Sequence, residues 1–247
     1  MKICIDGKNI TNEQLTQWKR ERIKKVFKVL GYKSSEINNP DRMIDQLTNL
    51  KMNYSYQEMY NQLESKLKLS EMIMRMGAAL SGNRRKFSQT EIYVDGITAK
   101  EAIKGIDNLM LNPSVENNRV NLSACPDHYA LRPLGENELE VIETTGNSPV
   151  PVQFFIVFED ETGLQTLRDN SYAYQSVGVA RMKDGTVIGG VRHQIKDTGT
   201  GMKIKLSVEF PALAPTSIIK SHQMHLACEF SYWLQWIKGN NDTVSLK

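Results

Sequence analysis

Apolar residues recur at helical spacing through most of the first 80 positions. Trp18, Ile23, Val26, Phe27 and Leu30 fall on one side of a helix whose start is marked by Thr11 or Asn12 and whose end is followed by Gly31. Pro40-Asp41 opens a second helix. A third, over about 56–80, carries Met59, Leu63, Leu67, Leu69, Met72, Ile73, Met76 and Leu80, and stops before Ser81-Gly82-Asn83. That stripe reads as core or interface. A short helix over 98–111 is closed by Asn112-Pro113.

After Cys125 the period changes from helical to two-residue. Leu139 to Thr145 alternates, 152–158 is a continuous apolar run, and three more strands are expected near 174–182, 187–195 and 202–210. Lys183-Asp184-Gly185 and Asp197-Thr198-Gly199-Thr200-Gly201 are turn sequences suited to antiparallel hairpins. Beyond Pro211 and Pro215 a strong helix over 216–237 places Ile218, His222, His225, Glu229, Trp233 and Trp236 along one side. The pattern predicts an α+β chain in two parts. A mainly helical region, 1–113, precedes a domain, 114–247, in which a curved antiparallel sheet wraps a long C-terminal helix and encloses a cavity.

Composition changes this picture little. Of 247 residues, 40% are hydrophobic and 24% charged, which suits a globular protein. The apolar start is broken at Asp6, too early for a signal peptide, and no stretch approaches the roughly 20 apolar residues of a spanning helix. Three cysteines cannot all pair internally, so a reduced, cytoplasmic protein is expected, away from membranes. The net charge of +3 hides a basic first third and an acidic remainder. The cluster Lys19-Arg20-Glu21-Arg22-Ile23-Lys24-Lys25 reads as a polar helix face on a segment docked to a partner domain. No arginine-rich arm or zinc finger supports nucleic-acid binding.

The candidate chemistry is carried by histidines and carboxylates. All four histidines, His128, His193, His222 and His225, lie in the second part. His225 and Glu229 stand four apart, so on a helix they share a face one turn apart, where they can share a metal. Their apolar neighbours Leu226, Phe230, Trp233 and Trp236 mark a buried helix, and a buried glutamate and histidine need a partner such as a cation. Asp127-His128-Tyr129 and the carboxylate Glu159, which ends the apolar run 152–158, supply further donors.

With these residues, His128, Glu159 31 positions later and a late His225-Leu226-Ala227-Cys228-Glu229, the chain resembles the phloretin hydrolase and 2,4-diacetylphloroglucinol hydrolase family over roughly 127–236. The resemblance implies a helical N-terminal region and a Bet v 1-like helix-grip domain. It also implies a zinc ion held by His128, Glu159, His225 and Glu229, two neutral imidazoles and two carboxylates matching the charge of Zn²⁺. The implied activity is hydrolysis of the C–C bond between an acyl group and a phloroglucinol-type ring. Zinc polarises the acyl carbonyl and activates water, and a proton is delivered to the ring carbon. The substrate is a small acylphenol and the assembly a homodimer, which the Met- and Leu-rich helices would suit.

For the proton-transfer role His193 is the first candidate, since strand alternation puts it on the face of Val191; His222 and Tyr129 are others. Tyr172, Tyr174 and Arg181 are candidates for binding substrate hydroxyls. Leu131 stands where a polar group would have helped hold a phenol. Two rival readings remain open. Cys125-x-x-His128 with His225-x-x-Cys228 suits a structural Cys₂His₂ zinc site, and a helix-grip fold can also be a non-catalytic carrier of apolar ligands.

Overall fold

The computed structural model describes residues 1–33 and 39–244. Thr11, Ser55 and Thr98 each close a reciprocal capping box, with Gln14, Glu58 and Glu101, at the starts of α1 (Asn12–Val29), α3 (Tyr56–Ser81) and α4 (Ala99–Leu111). Asn39 caps α2 (Pro40–Met52), whose proline occupies the first turn. Ser114 caps α5 (Val115–Ala124), and α6 (Thr216–Val244) closes the described chain.

Nine antiparallel strands form one sheet. They are β1 (Lys2–Ile5), β2 (Lys8–Ile10), β3 (Arg85–Asp95), β4 (His128–Pro133), β5 (Glu138–Glu143), β6 (Val152–Phe158), β7 (Tyr174–Arg181), β8 (Val187–Asp197) and β9 (Gly201–Pro211). Their order across the sheet is β2-β1-β3-β9-β8-β7-β6-β5-β4. Strands β5 to β9 and helix α6 follow the sequence expectation closely. The region before 113 does not: it contributes β1, β2 and β3, and β3 pairs with β9 from Arg85↔Pro211 to Asp95↔Gly201. The sheet therefore runs across the boundary drawn at 113. β4 is a further addition: His128, expected to precede the first strand at 139–145, instead opens one of its own.

Two large cores flank the sheet, and a smaller cluster joins Ala78 of α3 to Val152, Ala180, Met182 and Ile188. On the inner face, α4 and α6 pack Ile106, Leu226, Phe230, Trp233 and Leu234 against Ile92, Ile204 and Leu206. On the outer face of β4 and β5, α1, α2 and α3 pack Ile23, Val26, Met43, Leu47 and Leu63 around Tyr129 and Ile142. The period of two decides which side each residue serves. His128 turns inward and Tyr129 outward, while Leu139, Val141 and Glu143 share the inner face of β5. Gly146, at φ +60, lets the chain after β5 approach α6; a Cβ there would lie 2.5 Å from the Ile218 carbonyl oxygen.

The three cysteines are free thiols, Cys125 and Cys228 being buried. Among the described residues no helix is long and apolar enough to cross a membrane.

Candidate metal centre

Between α6 and the inner face of the sheet lies a cavity of about 380 Å³. Its walls are mostly apolar, with Phe154, Phe158, Phe230 and Trp233 among them. Its titratable lining residues are Glu143 from β5, His193 from β8, Glu209 from β9, and His222, His225 and Glu229 from α6. Spacings of three and four residues set the last three on the cavity face of the helix.

Two histidines and two glutamates converge there. Nε2 of His128 lies 3.2 Å from Nε2 of His225. His128 Nε2 is 3.4 Å from Glu229 and 3.9 Å from Glu143, and His225 Nε2 is 3.6 Å from Glu143 and 3.9 Å from Glu229. A tetrahedral zinc site with bonds of about 2.0–2.1 Å has ligand–ligand edges of about 3.3 Å, so these separations suit a shared cation. The donor set fits as well. His128 donates its Nδ1–H to the Asn121 carbonyl at 2.7 Å, one of the last carbonyls of α5, and so keeps Nε2 bare. Burial depresses His128 and His225 to about 3, so both are neutral imidazoles. Burial pushes Glu143 up to about 8 and Glu229 well above the usual carboxylate range. Without a cation these carboxyls hold protons at neutral pH; a cation would release them.

Cys125 shares the same histidines. The ligand atoms of Cys125, His128 and His225 lie within 4.8 Å of one another, a buried group able to hold a metal ion. Cys228 donates its thiol hydrogen to the Ala124 carbonyl at 3.3 Å; burial pushes the Cys125 thiol up, while the hydrogen bond from Cys125 pulls the Cys228 thiol down. Neither thiol lines the cavity, whereas both carboxylates do.

Glu159 is not part of this centre. The chain turns through a left-handed residue there, φ +65, directly after β6, and the exposed carboxylate accepts from Asn137 Nδ2 at 3.2 Å. Glu143, the register partner of His128 across β4 and β5, occupies the place the sequence reading gave to Glu159. Its signal was present: it follows Leu139 and Val141 on the apolar face of an alternating strand.

Other candidates divide the same way. His193 shares the inner face of β8 with Val191, lines the cavity and packs edge-on against Phe230. The Ser207 amide donates to its Nδ1 at 3.3 Å, so Nε2 carries the hydrogen, and burial lowers it to about 3. His222 pairs with Ser88 Oγ at 3.0 Å through Nδ1 and stacks on His225. Tyr129 is buried on the opposite side of β4, its hydroxyl paired with Thr144, outside the cavity. Tyr172 lies under the Lys196 ammonium. Tyr174 shares the inner face of β7 but sits at the strand's other end, against the main core. Arg181, one residue past the cavity-lining Ala180, points outward to Asp160 at 2.7 Å. None of these three lines the cavity. Leu131 does.

A layer of charge lies behind the ligands. Arg22 of α1, otherwise part of a basic face, is buried and forks onto Asp127: Nη2 donates at 2.7 Å and Nε at 3.0 and 2.9 Å to its two oxygens. Lys51 of α2 is buried too, donates to the carbonyls of Pro126 and His128 at 2.7 and 2.5 Å, and is lowered by burial to about 7.

No protein-family model matches the chain, and no curated protein matches it. Solved structures do match. The crystal structure of Ara h 8.0201 is 11% identical, covering 62% of this chain and 98% of its own, with a TM-score of 0.41. A conserved protein from Geobacillus kaustophilus is 10% identical over 64% of this chain and 94% of its own, TM-score 0.32. Protein Ms6760 from Mycobacterium smegmatis is 13% identical over 62% and 89%, TM-score 0.32. The strand order and the long C-terminal helix on the inner face define a Bet v 1-like helix-grip fold of the α+β class.

Proposed function

We propose that the protein is a metal-dependent hydrolase that cleaves the bond between an acyl carbon and an electron-rich phenolic ring, as in phloretin or acetylated phloroglucinols. The observation that carries this reading is the convergence of His128, His225, Glu143 and Glu229, the last three of which line a mostly apolar cavity. Two imidazole nitrogens and two carboxyls brought together in this way can share a cation, and a cation beside a cavity is placed to act on what the cavity binds. Phe154, Phe158, Phe230 and Trp233 suit an aromatic ring with a hydrocarbon arm.

Bound to these four residues, zinc would supply Lewis-acid polarisation of the acyl carbonyl and a water acidic enough to attack near neutral pH. The reaction adds water across the bond: the hydroxyl joins the acyl carbon, and the bonding pair stays with the ring carbon, which takes a proton. His193 is neutral at pH 7 and holds an Nε2–H on a side chain lining the cavity, so it can orient a substrate oxygen and stabilise charge that develops on it. Phe230 fixes its ring edge-on. The apolar walls exclude competing water.

The test is to load the purified protein with zinc, incubate it with phloretin and with mono- and diacetylphloroglucinol, and identify products by mass spectrometry. Phloroglucinol and the matching carboxylic acid are expected, and only from substrates with a ring hydroxyl ortho to the acyl group. Cleavage of simple esters with every acylphenol left intact would exclude this reaction class. A second reading, a carrier of apolar ligands, is favoured by the apolar walls alone; under it, binding occurs without turnover and the metal is dispensable.

A homodimer belongs to the same proposal. Leu69, Met72, Ile73, Met76 and Leu80 form an exposed apolar stripe on α3, each with at least 45% of its surface accessible, flanked by Glu71 and Arg75. Antiparallel packing of two such helices would cover the stripe. Met72→Asp with Met76→Asp should shift the species seen by light scattering from dimer to monomer with little change in melting temperature.

A further inference from the structure

We infer that Arg22 and Asp127 are positioning residues that fix the tautomer of His225 and so keep its Nε2 free for a cation; this rests on the metal-centre reading above. Nδ1 of His225 is buried with no hydrogen-bond partner, yet it lies 3.7 Å from Asp127 Oδ2. A bare nitrogen lone pair turned toward a carboxylate would be repelled, so the hydrogen of the neutral ring belongs on Nδ1 and the Nε2 lone pair is left toward His128, Glu143 and Glu229. Asp127 cannot turn away to satisfy itself elsewhere. Arg22 grips both its oxygens through Nε and Nη2, and Nη1 of the same guanidinium is held at 3.1 Å by Asn147.

The opposite histidine is fixed by a different device, the Asn121 carbonyl at the end of α5. Its backbone is also held from α2, where Lys51 binds the carbonyls of Pro126 and His128. The two imidazoles are therefore set by different parts of the chain, and the one on α6 depends on α1. Trp18, one turn before Arg22, reaches the same region of α6: its indole donates to Ser221 Oγ at 3.3 Å and meets the His225 ring edge-on. The N-terminal helix thereby acts as an outer support of the centre.

Asp127→Asn isolates the effect. Arg22 will take the amide oxygen, which leaves the amide NH₂ facing His225; that donor demands a bare Nδ1 and drives the ring hydrogen to Nε2. Two measurements follow on wild type, Asp127→Asn and Arg22→Lys. Long-range ¹H–¹⁵N spectra of the metal-free proteins should show His225 protonated on Nδ1 in wild type and on Nε2 in Asp127→Asn. Zinc affinity, by competition with a chromophoric chelator, should fall about 10- to 100-fold in Asp127→Asn. Arg22→Lys keeps the charge without the fork and should fall between the two. A wild-type His225 protonated on Nε2, or an Asp127→Asn protein with wild-type tautomer and affinity within about twofold, overturns the inference. Should Asp127→Asn fail to fold, Arg22→Lys decides by the same two readouts. Wild type that binds no zinc would sink the metal reading, while the tautomer spectra would still judge the role of Asp127.

Discussion

Glu143→Gln is expected to lower zinc affinity by at least about 100-fold and to remove acylphenol cleavage with it, whereas Glu159→Gln leaves both unchanged. The contrast follows from geometry. Glu143 is within 3.6 Å of His225 Nε2 on the cavity wall, and Glu159 is an exposed residue hydrogen-bonded to Asn137. The pH dependence should separate them too. Burial raises Glu143 to about 8, so below pH 8 its carboxyl is protonated in the metal-free protein, and burial pushes Glu229 well above the usual carboxylate range. A cation must displace those protons, and apparent affinity then rises with pH, by up to about tenfold per unit for each proton released. Glu143→Gln removes one such proton and should lower the slope of log affinity against pH by about one between pH 6 and 8. Binding through the thiols predicts another result: Cys125→Ser would empty the site and Glu143→Gln would leave the affinity near wild type. Chelator competition at several pH values reads every one of these outcomes.

Glu143 also shows how far the sequence can be read. The C-terminal helix was legible because His222, His225, Glu229 and Trp233 repeat on one side amid large apolar residues, and the cavity lies on that side. The hairpins were legible from their glycine turns and from alternation that serves one core. By the same rule Glu143 falls on the apolar face of β5, and a carboxylate on that face is the exceptional residue. The family spacing pointed instead to Glu159, but spacing along a chain carries no information about a left-handed residue that swings a side chain to the surface.

β3 escaped for a different reason. Its inner positions begin Ser88 and Thr90 before Ile92 and Val94, while its outer positions include Phe87 and Tyr93, so the apolar alternation cancels over much of its length. The polar inner residues are explained by what they meet on α6. Ser88 binds His222, and Thr90 donates to the Gln223 carbonyl at 2.9 Å. Helix α5 is obscure in the same way, being rich in asparagines whose amides are used locally: Asn117 donates to the carbonyls of Asn108 and Asn112, and Asn121 to that of Leu109. The choice among Tyr129, Tyr172, Tyr174 and Arg181 needed the register and the length of each strand. Which face a residue takes, and how far it lies from the cavity end, follow only once the pairing is known.

His193→Ala is expected to retain zinc while turnover falls about 10²- to 10³-fold, the range for loss of one donor aimed at a developing oxyanion. The residue stands on the inner face of β8, lines the cavity and is not a member of the ligand cluster, so its loss should spare metal binding. Burial lowers it to about 3, which makes it neutral from pH 5 to 8; the wild-type rate should therefore lack the inflection near pH 6.5 that an ordinary histidine gives. The glutamine variant divides the two ways in which a neutral imidazole can serve. If His193 only offers its Nε2–H to a substrate oxygen, His193→Gln restores much of the rate, because an amide NH₂ is also a donor. If it passes a proton, glutamine restores little, since an amide cannot exchange one at neutral pH. The first result is expected, because the Ser207 amide occupies Nδ1 and the neutral ring has only its Nε2–H to offer the cavity. A structural histidine would behave differently: the alanine variant would melt earlier through loss of the Phe230 contact, yet its folded fraction would turn over at close to the wild-type rate. Turnover, zinc content and melting temperature measured on one preparation decide the matter. Near-normal turnover with full zinc would remove His193 from the chemistry and turn attention to His222, which lines the same cavity and stacks on His225.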